Sequence, residues 1–151
     1  MLEWIILRKL CDQLSISDQQ WGFLPSRPTT GAILSAIHDW HSELEDGAEV
    51  QSVVFFDLQK AFDSVPHRKL LQKLTHLNVP PHIIAWISSY LCNRSQKVGV
   101  AGFNSIPCHV LSGVPQGSVL GPMRFLIYID GLTGLQLESG SLTMFADDLL
   151  L

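Results

Sequence analysis

The chain has 151 residues, of which 46% are hydrophobic and 16% are charged, and its formal net charge is −4. This composition can fill the core of one domain, or of part of one, and it excludes a disordered or low-complexity chain. The negative charge excludes a general attraction to nucleic acid. A polyanion would have to bind through local basic patches, through metal ions, or through segments that are not part of this sequence.

No apolar run in the sequence reaches membrane-spanning length, so no membrane partner is expected. Residues 1–5 include Glu3 and have no basic region ahead of their apolar side chains, which is unlike a signal peptide. The cysteines are odd in number and far apart, which predicts neither a zinc site nor a disulfide framework and favours an intracellular location, in the nucleus or the cytoplasm. They are Cys11, Cys92 and Cys108.

The first third of the chain predicts two helices separated by a loop. Apolar residues at helical spacing indicate an amphipathic helix over residues 1–15, and prolines and glycines then mark a loop over residues 20–31. Thr29 or Thr30 is the predicted N-cap of the second helix. The predicted core-facing side chains of that helix are Ile33, Ile37, Trp40 and Leu44.

Residues 50–57 are β-branched and aromatic, and their second half is apolar on both faces. This pattern predicts a central strand that is covered on both sides. Pro66 suits the first turn of a helix, and Pro80–Pro81 ends that helix before another begins. Later elements are a hairpin with strands over residues 96–101 and 106–111, a loop over 112–122, a buried helix over 120–132, and a strand over 142–145 with a return from 149.

Asp147 and Asp148 are adjacent acids between two apolar runs, which predicts a tight turn between two buried strands. Such a pair alone is typical of a solvated turn. Asp57, at the end of the earlier strand, could meet it at one edge of one sheet. Three converging carboxylates suit Mg²⁺ or Mn²⁺, and two such ions support phosphoryl or nucleotidyl transfer. The alternative is that Asp57 caps the next turn and the pair lies in water.

Three motifs occur in order: FFDLQKAFDSVPH at residues 55–67, SGVPQGSVLGP at 112–122, and FADD at 145–148. Together they closely resemble the RNA-directed DNA polymerases, or reverse transcriptases, of non-LTR retrotransposons of the LINE or jockey-like kind. The resemblance covers essentially the whole chain. It implies an α+β fold: a polymerase palm with a small antiparallel sheet packed by helices, plus part of the fingers.

The resemblance also implies the roles of individual residues. Asp57 and Asp147 match the principal metal ligands, Asp148 matches a weaker third ligand, and the Leu58 carbonyl would contribute to one of two Mg²⁺ (or Mn²⁺) ions. The nucleotide-binding residues implied in the same way are Lys60, Ala61, Phe62, Gln116 and Gly117. Phe62 would pack under the sugar and so favour deoxynucleotides, and glycine permits close backbone approach.

Arg27 matches the residue that would face the template backbone. The sequence departs from the family beside it, with Ser26 in place of a small glycine and Pro28 in place of a serine. Arg124 stands where the family has an apolar residue; since a buried unpaired arginine is costly, either it reaches solvent or this copy is damaged. Asp63 matches a structural or orienting residue and is not expected to bind metal.

The resemblance divides the chain into a fingers and template-side segment over residues 1–49 and a palm over residues 50–151. The basic fingers segment would precede residue 1, and the primer grip and thumb would follow residue 151. The expected substrates are deoxynucleoside triphosphates and a DNA primer on an RNA template, with little activity from these residues alone. The alternatives are a non-catalytic remnant of a retroelement and a palm-type nucleotidyl cyclase, which predicts no Gln-Gly loop. The sequence leaves the oligomeric state open.

Overall fold

The computed structural model describes residues 1–47, 49, 52–134 and 140–151. The chain forms two compact units: the first contains Met1–Leu14 and Lys60–Arg124, and the second contains Ser15–Gln59 and Phe125–Leu151. The predicted α+β class is confirmed, because helices accompany small antiparallel sheets. Within the described ranges, no helix is both long and apolar enough to cross a lipid bilayer.

The first unit is mainly helical. Pro66 is the N-cap of one of its helices and Pro81 is the first residue of another, so the proline signals in the sequence located both starts correctly. These two helices pack on one another through leucines and isoleucines that are almost fully buried. The helices of this unit are α1 (Leu2–Gln13), α3 (Ala61–Ser64), α4 (His67–His76), α5 (Pro81–Leu91) and the first part of α6 (Gly121–Ile129).

The hairpin of the first unit is shorter than predicted. Its strands form two separate ladders, and one strand has an extra residue between them, in the segment that contains Pro107. Because proline has no N–H, it cannot continue a ladder. Ala101 and Gly102, both with positive φ, form the turn. The outer ladder pairs β2 (Ser95–Gln96) with β5 (Cys108–His109), and the inner ladder pairs β3 (Gly99–Val100) with β4 (Phe103–Asn104).

The second unit contains a three-stranded antiparallel sheet with the strand order β1-β7-β6. Its strands are β1 (Phe55–Asp57), β6 (Thr143–Phe145) and β7 (Asp148–Leu150), and its long helix α2 (Thr29–Glu45) packs against β6. The rest of α6 continues into a 3-10 helix (Asp130–Gly134). The predicted final hairpin is therefore confirmed, with β6 and β7 as its strands.

Two predictions about burial in this unit are wrong. The strand predicted over residues 50–57 forms only at Phe55–Asp57, and the Phe55 side chain is 77% exposed (residues 50 and 51 lie outside the described ranges). β1 is an edge strand, and α2 packs at the opposite edge of the sheet. The α2 helix begins after Pro28 without a side-chain cap, and it buries Ala32 and Ala36. Its Ile33, Ile37 and Leu44 side chains are exposed.

Candidate functional site

The acid turn, residues 145–148, joins β6 to β7 and carries two of the predicted site residues. Asp148 is the register partner of Asp57 on β1. The Leu58 N–H donates to the Asp147 carbonyl oxygen at 3.4 Å. The fold of the second unit therefore brings Asp57, Asp147 and Asp148 to one end of one sheet, because antiparallel pairing sets the end of β1 beside the start of β7.

The three carboxylates of the acid turn and β1 have no partner among the residues that the structure describes. Asp57 and Asp148 are exposed, Asp147 is half-buried, and within the described chain none of the three side chains forms a hydrogen bond or an ion pair. Oxygen donors of this kind suit Mg²⁺ or Mn²⁺. No three His, Cys, Asp or Glu side chains of the described residues already stand in a metal-holding arrangement. The fit to a metal therefore rests on donor chemistry and backbone placement.

Gln20 holds the acid turn from the core side, and sequence reasoning missed it. Its side chain is 1% exposed. Its Oε1 accepts hydrogen bonds from the N–H of Ala146 at 2.8 Å and from the N–H of Gly22 at 2.7 Å, and its Nε2 donates to the Ala146 carbonyl oxygen at 3.4 Å. The only sequence signal was its place at the start of the loop predicted over residues 20–31.

The backbone around Gln20 runs beside β6. The Trp21 N–H donates to the Met144 carbonyl at 2.8 Å, and the Met144 N–H donates to the Gln19 carbonyl at 2.8 Å. Gly22 lies so close to Ala146 that a Cβ on it would overlap the Ala146 backbone nitrogen. The absence of a side chain at Gly22 therefore permits the loop to approach the acid turn.

Arg27, predicted to face a template, makes three hydrogen bonds inside the second unit. Its Nη1 donates to the carbonyl oxygens of Ser17 and Gln20, and its Nη2 donates to the Asp18 carboxylate, each at 2.6 Å. The template contact stays a prediction. Ser26 has a φ of 63°, so the departure from the family's glycine falls at a left-handed position.

The predicted nucleotide-binding residues all lie in the first unit, on two adjoining segments. Lys60 has a φ of 50° and precedes α3, whose Ala61 is buried and whose Phe62 is half-buried. The Phe62 carbonyl oxygen accepts a hydrogen bond from the N–H of Val114 at 2.9 Å. Two further hydrogen bonds, Gly113 N to Val65 O at 2.8 Å and His67 Nε2 to Gly113 O at 2.7 Å, fix the second segment against the first.

The second segment, residues 112–117, is called the Gln116 loop. Its Gln116 side chain donates from Nε2 to the Asp63 carboxylate at 2.9 Å, and the Ser112 hydroxyl donates to the Asp63 carbonyl at 2.9 Å. Asp63 thus orients Gln116, in line with the orienting role that the resemblance implied. Gly117 is exposed and has a φ of +73°, a conformation that glycine adopts without strain.

A cleft of about 730 Å³ in the first unit opens beside these residues. Lys60, Arg94, His109 and Gln116 are among its lining side chains, and the Asp63 carboxylate also lines it, so it offers cationic, amide and acidic groups to a ligand. A volume of this size falls in the range of small-molecule sites.

Arg124 is fully buried, which excludes the first of the two alternatives offered for it, that it reaches solvent. Its Nε donates to the Leu120 carbonyl at 3.2 Å, and its guanidinium carbon lies 4.8 Å from the centre of the Tyr90 ring. Neither Nη atom has a hydrogen-bond partner among the described residues. Burial lowers the pKa of Arg124, and the neighbouring Tyr90 and Glu3 oppose that shift. Glu3 accepts the Tyr90 hydroxyl at 3.0 Å and the Leu120 N–H at 3.3 Å.

Comparisons with known proteins agree with the motifs. The family model "Reverse transcriptase (RNA-dependent DNA polymerase)" matches residues 1–151. The RNA-directed DNA polymerase from mobile element jockey of Drosophila melanogaster is 31% identical over 98% of this chain, and the probable RNA-directed DNA polymerase from transposon BS of the same species is 33% identical over 83%. The chain spans 17% and 14% of the lengths of these two relatives. With a family match over its whole length, the chain belongs to the reverse transcriptase family.

Proposed function

We propose that the chain carries the catalytic centre of an RNA-directed DNA polymerase of a non-LTR retrotransposon. The observation that supports this most is the meeting of Asp57, Asp147 and Asp148 at one end of the sheet, with no protein partner on any of the three carboxylates in the described chain. Three acids without protein partners at a strand end suit cation binding.

The carboxylates of Asp57 and Asp147 would be the principal ligands of two Mg²⁺ or Mn²⁺ ions, with a smaller contribution from Asp148 and from the Leu58 carbonyl. The chemistry that such ions would supply is activation of the primer hydroxyl and stabilisation of the leaving oxygen. The chain's own part is to orient these oxygens. The hydrogen bond from Leu58 N to Asp147 O keeps the end of β1 beside the acid turn.

In the first unit, Lys60, Ala61 and Phe62 contact the triphosphate and the sugar of the incoming deoxynucleotide, and Gln116 and Gly117 contact the sugar and the base pair. The cleft next to Lys60 and Gln116 supports this assignment. Exposed peptide N–H groups can bind phosphate oxygens. Arg27 faces the RNA template through the N–H groups that it does not use within the second unit.

Residues 1–49 serve as the fingers and template-side segment and residues 50–151 as the palm, and the protein works in the nucleus or the cytoplasm. Because the chain spans 17% of the jockey relative, these residues alone should give only slow, non-processive synthesis. The competing function is a non-catalytic remnant. The buried Arg124 favours that alternative, since neither of its Nη atoms has a hydrogen-bond partner in the described part of the chain.

Primer extension on poly(rA)·oligo(dT), with the protein in excess over primer and with Mg²⁺ or Mn²⁺, separates the two hypotheses. The wild type should add deoxythymidylate slowly. Asp147→Ala should reduce the rate at least about 100-fold, because loss of a metal site removes several kcal/mol of transition-state stabilisation. Asp46→Ala, an exposed acid after α2, is the matched control and should leave the rate unchanged. If the wild type incorporates deoxythymidylate no faster than Asp147→Ala does, the chain is a non-catalytic remnant.

A further inference from the structure

We propose that Gln20 is a positioning residue that holds the acid turn in its metal-binding conformation. The inference rests on the proposed function, which assigns Asp147 and Asp148 of that turn to metal ions. Gln20 lies 126 positions from Ala146 in the sequence, and the hydrogen bonds of its side chain within the described residues go to Ala146 and Gly22. Its action is on the backbone of Ala146, the residue directly before Asp147.

The contacts of Gln20 satisfy both backbone polar groups of Ala146. The Ala146 N–H donates to Gln20 Oε1 at 2.8 Å, and the Ala146 carbonyl accepts from Gln20 Nε2 at 3.4 Å. Ala146 is buried, so water does not replace these bonds easily. A single side-chain amide therefore supplies a donor and an acceptor to the tip of the hairpin.

The acid turn needs an external support because of its backbone conformation. Ala146 has a φ of 57°, which residues with a Cβ adopt rarely. Such a conformation persists only where the surrounding structure determines it. The hydrogen bonds from Gln20 to the N–H and the carbonyl of Ala146 supply that support.

Gln20 is itself fixed, which makes the support rigid. The Gln20 carbonyl accepts a hydrogen bond from Arg27 Nη1 at 2.6 Å. The same side-chain Oε1 that binds Ala146 also accepts the Gly22 N–H at 2.7 Å. Hydrogen bonds therefore connect Arg27 to Gln20, and Gln20 to Ala146, the residue before Asp147. Groups that orient metal ligands from behind typically change metal affinity by about 10- to 100-fold when they are removed.

Two substitutions of Gln20 test the proposal. Gln20→Met has a similar size but no polar atom, so the Ala146 and Gly22 N–H groups lose their acceptor. Gln20→Glu, neutral in a buried site, keeps an acceptor oxygen and an O–H donor and should therefore rescue the turn. Ile129→Val, a core change on α6 in the same unit, is the control for a general loss of stability.

The readouts are Mn²⁺ dissociation constants from electron paramagnetic resonance and hydrogen exchange of the Ala146 N–H in metal-free protein. Gln20→Met should weaken Mn²⁺ binding about 10-fold and speed Ala146 exchange. Gln20→Glu should stay within about threefold of wild type in Mn²⁺ affinity, as should Ile129→Val, whose melting temperature falls.

The outcomes separate this inference from the proposed function. If Gln20→Met leaves the Mn²⁺ affinity unchanged, the role of Gln20 is overturned and the proposed function stands. The same conclusion follows if Gln20→Met and Ile129→Val lower the Mn²⁺ affinity equally. A wild-type protein that binds no Mn²⁺ overturns the proposed function itself. If Gln20→Met does not fold, loss of Mn²⁺ affinity in a folded Gln20→Glu protein overturns the inference, and retention supports it.

Discussion

The acid turn and the Gln116 loop carry the two halves of the predicted chemistry, and they are held in opposite ways. In the acid turn the backbone is held: Gln20 bonds to the N–H and the carbonyl of Ala146, and the neighbouring carboxylates have no partner in the described chain. In the Gln116 loop the functional side chain itself is held, because Gln116 donates to Asp63.

The difference suits the chemistry that we propose for each segment. A carboxylate binds a metal ion through its lone pairs, so a partner on the side chain would compete with the metal. An amide that recognises a nucleotide must present a defined donor or acceptor, and a fixed hydrogen bond sets which end faces the ligand. The fold supports the backbone beneath the proposed metal ligands and the side chain at the proposed nucleotide site.

Gly22→Ala should disturb the acid turn, and we expect it to have the largest effect of these variants on the unfolding free energy. The new Cβ would overlap the Ala146 nitrogen, so the unfolding free energy should fall by about 3 kcal/mol. Urea denaturation measures the change. Gly134→Ala, at a position where a Cβ meets nothing within 4 Å, should change it by less than about 0.5 kcal/mol. Equal destabilisation by both variants would contradict the close packing of the loop on the turn.

Arg124→Met should raise the unfolding free energy by about 1 kcal/mol, because it removes a buried cation whose two Nη atoms find no hydrogen-bond partner among the described residues. Arg124 bonds to Leu120, which lies just beyond the Gln116 loop. The variant therefore tests whether an unfavourable buried charge lies next to that loop. Glu3→Gln should lower the unfolding free energy more when it is made in the wild type than when it is made in the Arg124→Met variant. The reason is that the Glu3 carboxylate offsets the positive charge of Arg124. Destabilisation by Arg124→Met would show that the Tyr90 ring contact outweighs the burial of the cation.

Asp63→Ala should have the smallest effect on stability, less than about 1 kcal/mol, because its bond to Gln116 is exposed. The informative readout is the side-chain amide of Gln116 in a ¹⁵N spectrum. The amide signal should move in Asp63→Ala, since the carboxylate that accepts its hydrogen bond is gone. Asp12→Ala, an exposed acid on α1, should leave the signal in place. An unchanged Gln116 amide signal in Asp63→Ala would show that Asp63 does not hold Gln116 in solution.

Local signals in the sequence were sufficient for much of the fold. Prolines marked the starts of α4 and α5, and apolar runs around Asp147 and Asp148 predicted the β6–β7 hairpin. Asp57 could be placed beside the pair because it ends a strand, and antiparallel pairing then sets its partner. These features depend on neighbours in the chain or on the two-residue period of a strand.

What the sequence could not predict depends on distant partners. Gln20 looks like any loop glutamine until residue 146 is beside it. Helix α2 has apolar residues on more than one face, and close packing selects the small Ala32 and Ala36 over the larger Ile33. An apolar residue was expected at the position of Arg124, and its burial over Tyr90 became visible only in the packed structure.

The most direct test of the central claim is the thermal stability of the chain with and without Mn²⁺, in the wild type and in Asp57→Asn. The claim predicts that Mn²⁺ raises the melting temperature of the wild type in a saturable way, since a ligand that binds the folded state stabilises it. Asp57→Asn should abolish most of that rise, whereas Asp46→Asn should retain it. No rise in the wild type, or an equal rise in Asp57→Asn, would contradict a metal site at the acid turn.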